Sequence, residues 1–175
     1  MENVKLRIYM YLEKISTEHK QGDKMDENTI KLFQSKASDE WETPQDLFDK
    51  LNEEFNFDLD VCASLDNAKM HNFYTIKDNA LQLPWNGRIW CNPPYSKVKE
   101  FLIKAHQEIN NGNCEEAVFL TFANTDTKWF HNYVYNKAEI RFIKGRLKFK
   151  GYNKDGKLVN NSAMRPSILI ILHRT

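Results

Sequence analysis

The sequence predicts an α/β fold: a mainly parallel sheet with an antiparallel C-terminal hairpin. Three observations predict it. From Ser38 onward, short apolar segments alternate with amphipathic ones. Ala117 to Phe122 is a continuous apolar run of the kind buried on both faces of a sheet. Late in the chain, Leu147 to Val159 reads as two extended segments around Asp155-Gly156, a hairpin turn signal. A chain of 175 residues suffices for one such domain with a single core.

The elements follow in order. Residues 1–37 form an N-terminal extension: Val4, Ile8, Leu12 and Ile15 recur at helical spacing up to Glu18, and His19 to Asn28 is a polar linker. The domain proper covers 38–175. Thr43 is placed to cap a helix, with Pro44 at its first position, Asp46 in a weak capping box, and an apolar face of Leu47, Phe48, Leu51 and Phe55. Phe57 to Cys62 and Arg88 to Cys91 read as buried strands. Ser96 is placed to cap a helix carrying Val98, Phe101, Leu102, Ala105 and Ile109, stopped by Gly112. Asp126 is placed to cap a short helix with Trp129, Phe130, Tyr133 and Val134. Glu139 to Ile143 and Ser167 to His173 are strands.

Composition narrows the function classes. The chain is 41% hydrophobic, 28% charged and 13% aromatic, an ordinary soluble profile with a lean towards flat-ligand stacking. Net charge is +1, so any nucleic-acid contact must come from local clustering. No signal peptide and no membrane-length apolar run is present, which predicts a cytoplasmic protein with no membrane partner. Cys62, Cys91 and Cys114 are widely spaced and form no Cys-x-x-Cys pair, so neither a disulfide framework nor a metal site is expected.

The chemistry is concentrated in Asn92-Pro93-Pro94-Tyr95, directly after a buried strand. Ligands of open α/β sheets collect at the carboxyl ends of strands. Two consecutive prolines fix two φ angles and remove two N–H donors, leaving nearby carbonyls out of local helix hydrogen bonds. The asparagine oxygen and such a carbonyl can accept both hydrogens of an exocyclic amine, pulling the nitrogen lone pair out of conjugation. A sulfonium methyl is electrophilic enough to need no strong base; positioning and electrostatics remain the protein's work. Tyr95 can stack on a planar base, and a duplex base must be flipped out to reach it. The plainer alternative is a proline-stiffened turn leaving a strand.

The tetrapeptide resembles the catalytic motif of amino-methyltransferases acting on adenine, usually written with Asp, Asn or Ser in first place. The wider string resembles the small phage-type DNA adenine methyltransferases (Dam-like). It comprises Ser38-Asp39-Glu40-Trp41-Glu42-Thr43-Pro44, Leu59-Asp60-Val61-Cys62-Ala63, Asn67-Ala68-Lys69, Trp90 to Ser96, Thr125 to His131 and Gly145-Arg146-Leu147-Lys148-Phe149. The match runs in one order from about Ser38 to the C-terminus. It implies a Rossmann-like class I methyltransferase fold, S-adenosylmethionine as cofactor, double-stranded DNA as substrate and a bacterial host cytoplasm as setting.

The resemblance also carries roles to positions. Asn92, Pro93, Pro94 and Tyr95 would be catalytic. Thr43 and Pro44 would help bind S-adenosylmethionine, with Trp41 packing on it or closing the site; a helix cap and a packed Trp are the alternatives. Asp60, ending the first strand, would pair with the cofactor's α-ammonium. Asp58 is its rival. Cys62 and Ala63 would let the backbone approach, although no Gly-x-Gly follows this strand. Asp78 would accept from the cofactor's adenine amine, or is an ordinary loop residue. Asp66 is the one nearby candidate for the ribose. Thr121 to Thr127 would border the target-base pocket, and Trp129 and His131 are expected to pack in the core.

Lys144, Arg146, Lys148 and Lys150 lie in the one strongly basic stretch, Lys137 to Lys157, interleaved with Phe142, Phe149 and Tyr152. They are candidate phosphate contacts, or lysines guarding a sheet edge. The chain has no room for a separate recognition domain, so specificity falls to loops, hairpin, N-terminal extension or a second subunit of a homodimer. Two other functions share the motif: the same transfer to RNA or to a protein glutamine, and an idle DNA-binding module on this fold.

Overall fold

Strand β3 (Cys114–Phe122) is the spine of the molecule, because its side chains feed two separate cores. Ala117 and Phe119 point to one face of the sheet; Val118, Leu120 and Phe122 point to the other. This is the burial on both sides that an uninterrupted apolar run demands. The computed structural model describes residues 42–152, 158–163 and 165–174. The extension expected over residues 1–37, Trp41, and the hairpin turn at Asp155-Gly156 lie outside the described residues.

The first core lies between the sheet and helices α2 (Val98–Asn110) and α3 (Lys128–Tyr133), the second between the sheet and helix α1 (Gln45–Phe55). The main sheet has the order β1-β2-β3-β7-β4, with β1 at Leu59–Asp60, β2 at Gly87–Cys91, β4 at Glu139–Phe142 and β7 at Ser167–His173. β1, β2 and β3 are parallel; β7 enters antiparallel between β3 and β4. The sheet is therefore mixed, parallel where the chain begins it and antiparallel later. The expected hairpin, β5 (Lys148–Tyr152) with β6 (Leu158–Ser162), is antiparallel but forms a sheet of its own. It is tied to the main body by Phe149, buried in the second core, and by an isolated bridge between Glu42 and Lys150.

Several boundaries differ from the sequence expectation. Thr43 does not cap α1; Pro44 occupies the cap position in an extended conformation, without a side-chain bond. The hydroxyl of Thr43 is engaged elsewhere. Ser96 does not cap α2 either. A 3-10 turn over Tyr95–Lys97 intervenes, and Lys97 takes the cap position. α3 is capped by Thr127 rather than Asp126, the Thr127 hydroxyl accepting from the Phe130 N–H. The predicted strand Phe57 to Cys62 shrinks to Leu59–Asp60, because the Cys62 N–H turns back to the Asp60 carboxylate. Gly112 ends the second helix region as expected, with φ of +81° that L side chains avoid.

The two cores predict a contrast. Phe119→Ala, at a fully buried position, should cost about 3–5 kcal/mol in urea unfolding. Phe142→Ser, on the edge strand and 77% exposed, should change stability by less than about 0.5 kcal/mol.

Candidate functional site

Parallel pairing of β1 with β2 sets the geometry. Asp60 lies opposite Trp90, so the end of β1 and the start of the Asn92-Pro93-Pro94-Tyr95 loop meet at one pole of the sheet. This is the carboxyl end of the parallel strands, where the fold leaves a crevice. A concavity of about 230 Å3, part of it open solvent, is lined there by Glu42, Thr43, Asp60, Cys62, Asn67, Lys69, Trp90 and Asn92. Asp60, Cys62, Thr43 and Asn92, far apart in sequence, are thus brought together. Ala63 follows Cys62 in the same turn and Pro44 follows Thr43 at the cap of α1, but neither lines the concavity.

Asp60 is the electrostatic centre. It is 3% exposed, and burial pushes its carboxyl up from the usual 3.8 to about 6, opposed by the N–H groups of Cys62 and Lys69 and by the Lys69 charge. One oxygen accepts from the Cys62 N–H at 3.0 Å. Asp58 is not the equal of Asp60: exposed just before β1, it accepts from the Arg88 N–H of β2 at 2.8 Å.

The turn after β1 replaces a glycine-rich one in a specific way. The N–H groups of Cys62, Ala63 and Ser64 are bonded to the Asp60 carboxylate, the Tyr74 carbonyl and the Asn67 side chain respectively. No row of bare N–H groups is left for a phosphate. That suits a ligand with an ammonium and no phosphate. Cys62 and Cys91 place their sulfurs 3.6 Å apart under the crevice, and burial holds both thiols above their ordinary range.

Asn92 directs its Nδ2 to the Thr43 hydroxyl at 3.1 Å. Pro93 is buried and Pro94 half-buried, which fixes the loop. The Tyr95 ring stacks on Phe122, centroids 3.7 Å apart and planes 18° apart. Phe122, at the carboxyl end of β3, thereby brings the start of the Thr121–Thr127 segment against the Asn92–Tyr95 loop.

Other expected residues stand apart from the crevice. Asp78 is fully exposed, and its Oδ2 accepts from the N–H and the hydroxyl of Thr75 at 2.7 Å each; these bonds lower its pKa. Asp66 is exposed and does not line the crevice. Trp129 packs on the first core as expected. His131 does not: it is exposed, its ring edge-on to Phe130. Among the described residues, no group of three or more His, Cys, Asp or Glu is placed to hold a metal ion. Nor is any helix among them long and apolar enough to cross a membrane.

Lys144, Arg146, Lys148 and Lys150 are all exposed. Lys148 and Lys150 share the face of β5 opposite buried Phe149, whereas Arg146 precedes the strand. The Glu42 N–H donates to the Lys150 carbonyl at 2.9 Å, so the basic ribbon abuts the crevice wall. Lys69 and Glu42 carried no assigned role in the sequence. Lys69, its side chain only 5% exposed, bonds Glu42 Oε1 at 2.8 Å and Gln45 Oε1 at 3.0 Å, closing one side of the crevice. Only the motif Asn67-Ala68-Lys69 hinted at it.

The DNA N-6-adenine-methyltransferase (Dam) family model matches residues 31–175. The chain is 36% identical over 143 residues to a DNA N-6-adenine-methyltransferase of Haemophilus phage HP1 (strain HP1c1), covering 78% of this chain and 81% of that protein. It is 34% identical over 112 residues to a DNA N-6-adenine-methyltransferase of Escherichia phage T1, covering 62% of this chain and 46% of that one. Among solved structures, the 23S rRNA methyltransferase ErmE aligns over 77% of this chain and 50% of its own, with 13% identity and a TM-score of 0.37.

The buried carboxylate has a stability signature. The folded state binds the Asp60 proton more tightly than the unfolded chain does, so this group's contribution to stability falls as pH rises from about 3.8 to about 6. Above that window the cost is roughly 3 kcal/mol. Asp60→Asn should therefore raise the urea midpoint at pH 7.5 and lose that advantage at pH 4. A variant less stable than wild type at pH 7.5 would show the carboxylate to be paired instead.

Proposed function

The chain belongs to the DNA N-6-adenine-methyltransferase (Dam) family, and from that premise we propose how its residues carry out methylation of the adenine N6 amine in DNA. The enzyme is a methyltransferase specific for adenine in DNA. The observation that carries the reading is the meeting of a buried, uphill-shifted carboxylate, Asp60, with the Asn92-Pro93-Pro94-Tyr95 loop at one crevice.

S-adenosylmethionine fits the donor set of this crevice. Its α-ammonium would pair with Asp60, whose carboxylate makes no ion pair among the described residues, and its lack of phosphate matches a turn whose N–H groups are already bonded. When bound, it supplies an activated methyl on sulfur. The crevice is smaller than the roughly 300 Å3 at which ligand pockets begin, so it suits the amino-acid end of this cofactor. Cys62 and the methyl of Thr43, which a valine would keep, would form the wall; Pro44 and Ala63 would lie along the cofactor beyond it, with Asp78 towards the adenosine end.

On the acceptor side, Asn92 Oδ1 and a carbonyl of the proline loop would accept the two N6 hydrogens, localising the lone pair on nitrogen. Methylation adds a carbon–nitrogen bond and breaks the carbon–sulfur bond, and one N6 proton passes to solvent through these acceptors. Pro93 and Pro94 hold them rigid, so little reorganisation remains at the moment of reaction. Tyr95, its ring held parallel to Phe122, would stack on the flipped adenine. Lys144, Arg146, Lys148 and Lys150 would bind the flanking phosphates, which positions the duplex without reading its sequence.

Incubation with labelled S-adenosylmethionine and unmodified DNA should yield N6-methyladenine, with no label in RNA or protein offered alongside. Asn92→Ala should abolish transfer while cofactor binding persists in calorimetry; wild-type rates in that variant would remove Asn92 from the mechanism. Affinity for S-adenosylmethionine should weaken as pH falls below about 6, because the ammonium pairs with ionised Asp60. Replacing both Lys148 and Lys150 by Ala should weaken DNA binding uniformly across sequences and reduce the salt slope by about 1–2. An unchanged slope would place the duplex elsewhere.

A further inference from the structure

We propose that Thr43 is a positioning residue for methyl transfer: its hydroxyl holds the Asn92 amide so that the oxygen, and not the nitrogen, faces the acceptor amine. The proposal rests on the role given to Asn92 above and adds what that role requires.

An asparagine amide is planar, with oxygen and nitrogen on opposite branches of nearly equal size. Turned one way it accepts from an amine; turned the other way it presents two N–H bonds to it and repels it. A catalytic asparagine therefore needs something to set its orientation. Thr43, 49 residues away in sequence, takes the Nδ2 branch at 3.1 Å, which puts Oδ1 on the other branch. The hydroxyl is 3% exposed as part of its residue, so water competes poorly for that bond.

Thr43 is itself held from both sides. Before it, the Glu42 N–H donates to the Lys150 carbonyl at 2.9 Å, and Glu42 Oε1 accepts from Lys69 at 2.8 Å. After it, Pro44 begins α1, and its carbonyl accepts from the Phe48 N–H at 3.1 Å. Residues with a helix-starting sequence, Thr-Pro, would ordinarily spend the threonine on the cap. Here the cap falls to Pro44, and the hydroxyl is released to serve a residue at the end of β2. The same short strap touches the basic ribbon on one side and the catalytic loop on the other.

Thr43→Val keeps the shape and removes the hydroxyl; Thr43→Ser keeps the hydroxyl. Measured with S-adenosylmethionine and unmodified DNA, Thr43→Val should lower kcat about ten-fold or more, with the S-adenosylmethionine Kd from calorimetry within about two-fold, and Thr43→Ser should recover most of the rate. Retained cofactor affinity also reports that the variant is folded. In Asn92→Asp both branches are oxygens and no orientation needs setting, so Thr43→Val should then cost less than about two-fold. Three results would overturn the proposal: an unchanged kcat in Thr43→Val, a loss that follows Kd instead of kcat, or an undiminished loss in the Asn92→Asp background. If the wild type itself transfers no methyl to DNA adenine, the underlying functional reading fails, which is a separate and recognisable outcome.

Discussion

The register of two short parallel strands governs the site. Asp60 sits opposite Trp90, and from that single alignment a buried carboxylate and a proline-stiffened loop arrive at the same crevice. A shift of one residue in β1 would turn Asp60 away from the crevice and offer Leu59 or Val61 in its place. Little holds that register within β1 itself, which is two residues long. It is secured from outside, by the Asp58 N–H on the Arg88 carbonyl, the Val61 N–H on the Trp90 carbonyl, and a second bridge from Asp60 to Phe73 on the far edge.

This arrangement carries a cost that the rest of the protein absorbs. Burying a carboxylate disfavours its ionised form, and with it the folded state at neutral pH. The aromatic packing beneath it offsets that cost: Trp90 stands edge-on to Phe48 at 5.6 Å and lies against Phe57 at 5.5 Å. The second core is thus the counterweight to one buried carboxylate.

Much of this was legible in the sequence. The Ala117 to Phe122 run announced a central strand, and the abrupt Asn92-Pro93-Pro94 after Cys91 announced a strand end, the one that borders the crevice. Helix caps were the weak point. Thr43, Ser96 and Asp126 all have good capping chemistry, yet tertiary structure uses Thr43 for Asn92, puts Ser96 in a 3-10 turn and chooses Thr127 over Asp126. Local rules name candidates for a cap, and long-range partners decide among them. Lys69 was invisible for the same reason, since its burial depends on Glu42 and Gln45 more than twenty positions earlier. The separation of the hairpin from the main sheet also had no local signal; alternation specifies strands but not which sheet they join.

Among the described residues, the ribbon of β5 and β6 is joined to the rest chiefly through the buried ring of Phe149 and the Glu42–Lys150 bridge. An appendage with a sheet of its own can change length without altering the strand pairing of the main one. A ribbon of different length or charge could thus be grafted onto the same sheet without rebuilding the layers beneath it.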